Sequence, residues 1–381
     1  NYATHLYPLL IDVTLPITGK LDYTKYKGTS LAWAYAYTTN DVERKALQQI
    51  NGVTNSYNKL YGTDFIDVTS VTVYATDDIS AWGINEGVTE AYIELTADNK
   101  ESRVDEVLQY LPNCTDVYFF QDGNMTSLSR IFQSNTTYRK QIKKITFMEG
   151  YFDDREYSLQ YTFASCINLV EIVNLPTPNN VQGCFQNCES LTTHIDFSNA
   201  TTSLNYSSAF QNNKAMITPP TLSAKATDMI GIFNGCSNLK TPPVLPTGAK
   251  IMEKAFYNCS SLETAPAIPN GITTLKEAFY GCKALTTPPS IPNTVQNMES
   301  CFYECSALTT APVLPESVTT LKSTFRKTAI TVAPNIPSKV TSLYKTFENC
   351  KKLVQSPPTI PVGVTDMNGT FQYCDLLATA P

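Results

Sequence analysis

The amino-acid sequence predicts an α/β-type solenoid of short parallel strands and short helical arcs that repeats about every 23 residues. Three observations predict this fold class. Phenylalanines recur at intervals of 22 to 25 residues, a Met or Leu precedes most of them by four residues, and a Pro usually follows at plus ten. A fixed period in the twenties is the signature of stacked repeats. The phenylalanine file consists of Phe163, Phe185, Phe210, Phe233, Phe256, Phe279, Phe302, Phe325, Phe347 and Phe371.

One repeat, called a rung from here on, is too short to enclose its own apolar side chains, whereas stacked rungs share theirs. Equivalent Met, Phe, Cys, Leu and Ile residues are therefore expected to form columns inside the coil. Burial of each large apolar side chain contributes roughly 1.5–3 kcal/mol. Three or four such residues offset the ordering cost of a rung only if neighbouring rungs share surfaces. We predict that the phenylalanine rings touch one another in a row.

Three segments make up a rung. Apolar spacings of three and four around the Phe predict a short helical or 3₁₀ arc. A β-prone stretch such as Leu-Thr-Thr-Ala follows, and then Pro-x-Ile-Pro or Pro-x-Leu-Pro. Because proline has no N–H, the proline segment cannot continue a parallel ladder. The strand is therefore limited to three or four residues in each rung.

Residues 1–105 lack the repeat and predict a small N-terminal α+β or β-rich domain. A capped, one-sided apolar pattern predicts a helix over residues 42–50, and strands are predicted over residues 11–15, 67–74 and 88–95. The predicted boundary lies at residues 98–102. Residues 106–158 repeat the apolar spacing without the Cys and Pro marks and are interpreted as atypical capping repeats. The solenoid proper is predicted over residues 159–381.

Composition excludes several classes of function. Charged residues make up only 16% of the 381 residues and the net charge is −6, so no basic face for nucleic acid is expected. No run of 18 apolar residues occurs, so no membrane-spanning helix is predicted. The abundance of Thr, Ser, Asn and Tyr indicates an extracellular surface built on hydroxyl groups.

The cysteines follow the same period. Of the eleven cysteines, two directly precede the Phe, and Cys114 alone lies outside the pattern. We interpret the recurring cysteine as a small buried side chain filling one interior slot, since the slot holds Asn213 and Thr328 in two rungs. A disulfide framework is the alternative. Eight cysteines occupy the position three residues after the Phe, namely Cys166, Cys188, Cys236, Cys259, Cys282, Cys305, Cys350 and Cys374.

The pattern resembles the bacterial leucine-rich repeats of the BspA or treponemal type over residues 159–381. The corner Ala-Phe-x-x-Cys occurs at residues 255–259 and 278–282, and the Ile/Leu-Pro turn at residues 268–269 and 314–315. The resemblance implies a curved right-handed solenoid, a surface or secreted location, adhesion and protein binding, and no catalysis. One departure shortens the expected strand, because proline replaces an aliphatic residue at Pro243, Pro266, Pro289 and Pro312.

No catalytic, cofactor-binding or metal-binding residues are predicted. The two histidines, His5 and His194, have no repeat cysteine at a useful spacing. Acidic clusters at residues 77–78 and 153–156 are interpreted as surface loops, with a calcium site as the alternative. No nucleophile elbow or phosphate-binding loop occurs.

The candidate ligand-binding residues lie on the strand after the repeat Leu and beside the Phe. Thr recurs two residues after the Leu, the preceding position varies more freely, and which of the two faces outward is left open. The alternative is that Thr merely suits a half-buried strand. Tyrosines directly following the buried Phe are expected to point outward. The candidates are Lys240, Thr241, Glu263, Thr264, Thr286, Thr287, Thr309, Thr310, Tyr257, Tyr280 and Tyr303.

The sequence therefore favours a non-enzymatic recognition or adhesion protein that binds a host or cell-surface protein or glycan through its repeats. One alternative is a structural spacer, or a cell-surface or virion component, whose N-terminal domain does the attaching. Another is an enzyme with its site wholly within residues 1–105. The sequence does not specify an oligomeric state.

Overall fold

The computed structural model describes residues 70–73, 75, 86–97, 100–121, 123, 125–132, 137–152 and 155–378. These fall into two compact units. One unit contains the described residues up to 126, residues 131–152 and Glu171–Pro176, and the other contains Ser127–Arg130, residues 155–170 and those from 177 onward. The helix predicted over residues 42–50 and the strand predicted over residues 11–15 lie outside the described residues.

The described part of the chain contains strands, one α-helix and one short 3₁₀ helix at Tyr138–Lys140. In chain order the regular elements are β1 (Ser70–Val73), β2 (Glu90–Leu95), α1 (Lys100–Leu108), β3 (Asp116–Gln121), β4 (Lys144–Phe147), β5 (Tyr157–Ser158), β6 (Glu171–Val173) and β7 (Pro178–Asn180).

The first unit is built on a five-stranded parallel sheet in the order β1-β2-β3-β4-β6. Its strands alternate: in β2, Ala91, Ile93 and Leu95 are fully buried, while Tyr92 on the other face stacks on Tyr118 of β3 at 4.4 Å between ring centroids. The strands predicted near residues 67–74 and 88–95 are confirmed as β1 and β2. The period-2 pattern places one apolar row of each strand in the interior.

A helix occupies part of the segment predicted as a domain boundary. The boundary was predicted at residues 98–102, and α1 begins at Lys100. β2 before this helix and β3 after it pair in parallel over six residues, because a helical crossover returns the chain to the same end of the sheet. The division of the chain at residues 105 and 158 stays a prediction.

The phenylalanine file forms a continuous stack through the second unit, as predicted. Nine successive ring pairs, from Phe163 to Phe371, have centroids 5.2 to 5.8 Å apart and ring planes within 24° of parallel. All members except Phe371 are fully buried. Equivalent rings from successive rungs therefore share one dry interior, which is the leucine-rich-repeat-like solenoid that the period predicted.

Hydrogen bonds alternate along the segment around each Phe. The Phe256 amide donates to the Ala278 carbonyl of the next rung at 2.8 Å, and the Asn258 amide donates to Tyr280 at 2.6 Å. In between, the Cys259 amide donates back to the Phe256 carbonyl at 3.1 Å. This i→i−3 bond is of the 3₁₀ type that the spacing predicted, but left-handed residues such as Asn258, at φ 56°, prevent a continuous helix.

Strand pairing in the second unit is shorter than predicted. β5 and β7 form a two-stranded parallel sheet, and beyond them the rungs are joined by single-residue bridges such as Ile251↔Thr274 and Thr264↔Thr287. The prolines explain this limit, since a buried residue such as Pro266 offers no N–H to extend the bridge.

We predict that Phe279→Ala lowers the free energy of unfolding by about 3–5 kcal/mol, because the ring is fully buried between two others and its loss leaves a cavity. Urea denaturation of the full chain measures the change.

Phe371→Ala serves as the matched comparison, since this ring is partly exposed and stacks on Phe347. Phe371→Ala should lower the free energy of unfolding clearly less than Phe279→Ala does. Equal effects at Phe279 and Phe371, or no effect at Phe279, would contradict a shared interior.

Candidate binding surface

Both columns that follow the repeat Leu face solvent. The sequence left open which of the two points outward, and the structure exposes both in four successive rungs. Buried residues flank them, for example Leu262 on one side and Pro266 on the other. The exposed residues are Lys240 and Thr241, Glu263 and Thr264, Thr286 and Thr287, and Thr309 and Thr310. We call Thr241, Thr264, Thr287 and Thr310 the threonine column.

Backbone hydrogen bonds hold these positions in register. The Glu263 amide donates to the Lys240 carbonyl at 3.0 Å, and the Thr286 amide donates to the Glu263 carbonyl at 3.3 Å. The Thr286 hydroxyl also donates to the Glu263 carbonyl, at 3.4 Å. In contrast, the hydroxyls of the threonine column make no hydrogen bond within the described part of the chain. This column therefore presents free hydroxyl groups on a fixed scaffold.

The three candidate tyrosines stack on one another in the segment that follows the Phe. Their ring centroids lie 4.5 Å apart in both pairs, Tyr257–Tyr280 and Tyr280–Tyr303. The cationic groups of Arg326 and Lys327 lie 5.0 and 5.2 Å from the Tyr303 centroid, a cation–π geometry. We call Tyr257, Tyr280 and Tyr303 the tyrosine file.

The three rings of the tyrosine file are partly exposed. Burial raises the pKa of Tyr280, and the neighbouring tyrosines raise it further. Because each inner ring face is covered by the next ring, the file presents ring edges and hydroxyls to solvent.

The two sets of candidate residues form separate surfaces. Within a rung the tyrosine directly follows the Phe, whereas the threonine lies eight residues after it. Among the described residues, no ring contact or hydrogen bond joins the tyrosine file to the threonine column. Each set is assembled across rungs rather than within one rung.

The recurring cysteines are interior hydrogen-bond donors. All eleven lie within the described residues, all are free thiols, and all but Cys374 are buried. In most rungs the thiol donates to the carbonyl of the Phe one rung earlier, as Cys282 does to Phe256 at 3.1 Å. The interpretation as one interior slot is confirmed, and the disulfide alternative is wrong for this structure. The reason for cysteine at this position, a small side chain that still donates, was not predicted.

We call the position three residues after the Phe the thiol column, and in two rungs another residue occupies it. The Thr328 hydroxyl turns back to its own rung and donates to the Phe325 carbonyl at 2.7 Å. Asn213 is fully buried, and neither polar atom of its side chain has a hydrogen-bond partner among the described residues. Such an unsatisfied amide costs free energy, so this rung is a weak point of the stack.

Sequence reasoning missed two further features. Five residues before the Phe, polar side chains such as Asn297 accept from the amide two residues on, here Glu299 at 2.9 Å. The signal was the recurrence of Asn, Asp, Ser and Thr at that position. The second feature is a recess lined by Lys351 and Lys352, whose signal was the 22-residue interval between Phe325 and Phe347.

The remaining candidates form no catalytic or metal constellation in the described residues. His194 is exposed, with Nε2 3.0 Å from the Thr221 hydroxyl. Within the described ranges, no group of three or more His, Cys, Asp or Glu is placed to hold a metal ion. His5 and the acidic residues 77–78 and 153–154 lie outside those ranges. Glu156 accepts from the Thr201 hydroxyl and from the Thr201 and Thr202 amides, which lowers the pKa of its carboxyl.

Comparison with known proteins gives a family match. A model described as the BspA type leucine rich repeat region, in 6 copies, matches residues 131–262 and 229–354. No curated protein matches the chain. Searched over the described residues, no helix has both the length and the apolar character needed to cross a membrane.

Solved structures similar to this chain come from several bacteria. A leucine rich cell surface protein from Faecalibacterium prausnitzii A2-165 has 17% identity and a TM-score of 0.46, covering 82% of this chain and 87% of that one. A leucine-rich repeat protein from Bacteroides ovatus has 19% identity and a TM-score of 0.34, covering 66% and 78%. The leucine rich repeat protein of T. pallidum has 15% identity and a TM-score of 0.28, covering 77% and 86%.

We predict that stability falls as the pH rises above 9. Burial raises the pKa of Cys236 and Cys350 from 9.0 to about 12. A raised folded-state pKa means that the stabilisation is complete below pH 9 and is lost between pH 9 and 12, at about 1.4 kcal/mol per pH unit for each thiol. Urea denaturation from pH 7 to 11 measures the slope.

The double variant C236S/C350S is the control, because serine keeps a donor but does not titrate in this range. Its slope should be shallower than that of the parent chain. Identical slopes would show that these thiols do not carry the effect.

A separate measurement checks that the thiols are free and inaccessible. Iodoacetamide at pH 8 should modify at most the half-buried Cys374 in the folded chain, because the other thiols are buried out of reach of the reagent. All eleven should react in urea without a reducing agent. Recovery of four or five disulfides would contradict the structure.

Proposed function

The chain belongs to the BspA-type leucine-rich repeat family, and from this premise we propose that it is a non-enzymatic recognition protein of the cell surface. Its ligand is a protein or glycan, contacted through the threonine column and the residues beside it. The single observation that carries the proposal is the row of unpaired hydroxyls on Thr264, Thr287 and Thr310, exposed in successive rungs.

The chemistry of this surface suits a polar ligand. Its central residues carry hydroxyl groups and methyl groups, with charge confined to Lys240 and Glu263 in the earlier rungs. A hydroxyl both donates and accepts, so the threonine column complements sugar hydroxyls as well as peptide groups. The exposed Val313, at 89% relative exposure, adds an apolar contact on the loop that follows.

Rigidity supports the same proposal. The stacked rings and the ladder of backbone bonds hold each contact residue in place before a ligand arrives. Binding then loses little conformational entropy at the protein surface. A ligand with repeating units gains further, since several rungs present equivalent groups at once.

The absence of an enzymatic role and the surface location are part of the proposal. Support for the location comes from the family and from a similar structure that carries the name of a leucine rich cell surface protein. Support for recognition without catalysis comes from the surface itself, whose threonine column carries hydroxyl and methyl groups and whose candidate residues include no histidine.

We predict that T264K/T287K/T310K abolishes binding of the full chain to whichever ligand it selects from glycan and cell-surface protein arrays. Three lysines would block the hydroxyls and add charge to the threonine column. Surface plasmon resonance with the selected ligand measures the loss, and circular dichroism checks the fold.

The matched control is T273K/T319K/T341K. These threonines are exposed in a column on another segment of the rungs, and the Thr319 hydroxyl is already bonded to the Gln296 carbonyl at 3.2 Å. The control should bind as the parent chain does. Binding by T264K/T287K/T310K equal to that of the control would refute the proposal and favour a spacer.

A further inference from the structure

We propose that a recess in the repeat surface binds the oxyanion of an acidic sugar, a sulfate ester or a carboxylate. This inference rests on the proposed recognition function and assigns one subsite a ligand chemistry. We call this feature the lysine recess. It has a volume of about 320 Å³ and is lined by Ser306, Lys327, Thr328, Ala329, Asn349, Lys351 and Lys352.

The lysine recess exists because one rung is a residue short. From Phe302 to Leu308 is six residues, but from Phe325 to the equivalent Ile330 is five. The missing residue belongs to the segment four and five residues after the Phe, directly after the thiol column. We call this segment the exposed corner. Ser306 and Lys351, which occupy that corner in the rungs before and after, therefore flank a gap.

Backbone hydrogen bonds confirm where the gap lies. In three complete rungs the amide five residues after the Phe bonds to the carbonyl four residues after the preceding Phe, as Ala284 does to Ser260 at 3.1 Å. In the short rung the Ala329 amide bonds instead to the Leu308 carbonyl, at 3.1 Å. The Ser306 carbonyl consequently takes no backbone hydrogen bond among the described residues. The recess thus contains a free acceptor as well as cations.

Two of the three lysines have no ion pair. Lys327 Nζ lies 2.7 Å from a Glu304 carboxylate oxygen, so its charge is already compensated. Lys351 and Lys352 are exposed and form no ion pair with any described acidic residue. Two uncompensated ammonium groups at one recess attract an anionic group, and ammonium donates strong hydrogen bonds to oxyanions.

The remaining lining favours a sugar as the carrier of the anion. Ser306 and Asn349 offer neutral polar side chains, and the Ser306 carbonyl can accept from a sugar hydroxyl. The volume lies at the lower end of small-ligand sites, and one missing residue makes the gap a single rung wide. An acidic sugar supplies both the oxyanion and the hydroxyls that these groups match.

The recess also lies between the two candidate surfaces along the rung. It falls after the position of the tyrosine file and before that of the threonine column. A glycan chain seated in the recess by its anionic group can therefore extend toward the threonine column.

The experiment compares four full-length chains: the parent, K351Q/K352Q, a variant with one serine inserted between Thr328 and Ala329, and the control K250Q/K322Q. The insertion restores the complete rung and closes the gap while keeping every lysine. The control removes two exposed lysines from other segments. The probes are a sulfated heparin-type hexasaccharide, its desulfated form and a glucuronate-containing oligosaccharide, measured by calorimetry.

The proposal predicts that the parent binds at least one acidic probe, and that K351Q/K352Q and the insertion each weaken it about tenfold or more. The desulfated form separates sulfate from carboxylate as the bound group. If the insertion variant fails to fold, the binding measured with K351Q/K352Q tests the proposal. The proposal is overturned if no acidic probe binds, if K250Q/K322Q weakens binding equally, or if an Asp/Glu-rich peptide competes more strongly than the sugars.

Failure of this inference is distinguishable from failure of the proposed function. In one outcome, T264K/T287K/T310K abolishes binding of the ligand selected from the arrays, and the parent chain binds no acidic sugar. The protein then has the recognition function and lacks the subsite. A chain that binds acidic sugars through Lys351 and Lys352 regardless of the threonine column has the subsite alone.

Discussion

The contact on which the structure depends is the stacking of one phenylalanine ring on its equivalent in the next rung. A ring such as Phe279 is fully buried only because Phe256 and Phe302 cover its two faces. The amide of the same residue bonds to the next rung, so apolar contact and hydrogen bonding act at one position. The apolar contact and the hydrogen bond are lost together if a neighbouring rung is absent, which makes the array cooperative.

This interior leaves the outside free to vary. A side chain in the stack must match its equivalents above and below. The thiol column shows how closely, since the side-chain amide of Asn213 in that column has no hydrogen-bond partner among the described residues. The exposed position directly after the repeat Leu carries no such constraint, and its occupants differ as much as Lys240 and Thr309 do. A change in rung length at Phe325 is likewise absorbed at the exposed corner, where it produces the lysine recess without breaking the ring stack.

The features that sequence predicted are those fixed by period. The phenylalanine file, the buried cysteine slot and the strand limit set by proline all follow from spacing or from a missing N–H. The left-handed Asn258 and the single-residue bridges were not predicted, because hydrogen bonds between rungs override local helical spacing. The outward direction of Thr264 was left open, since exposure of two adjacent residues requires a backbone that departs from strict alternation. The recess depended on three-dimensional alignment of Ser306 with Lys351.

Hydrogen exchange of the full chain tests the shared interior most directly. The amides of Phe256, Phe279 and Phe302 each donate to the next rung beside buried rings. They should therefore exchange only through opening of the stack. They should exchange more slowly than the amides of the exposed Thr241 and Thr310, which donate no backbone hydrogen bond among the described residues. Exchange of the phenylalanine amides as fast as that of the threonines would contradict the account.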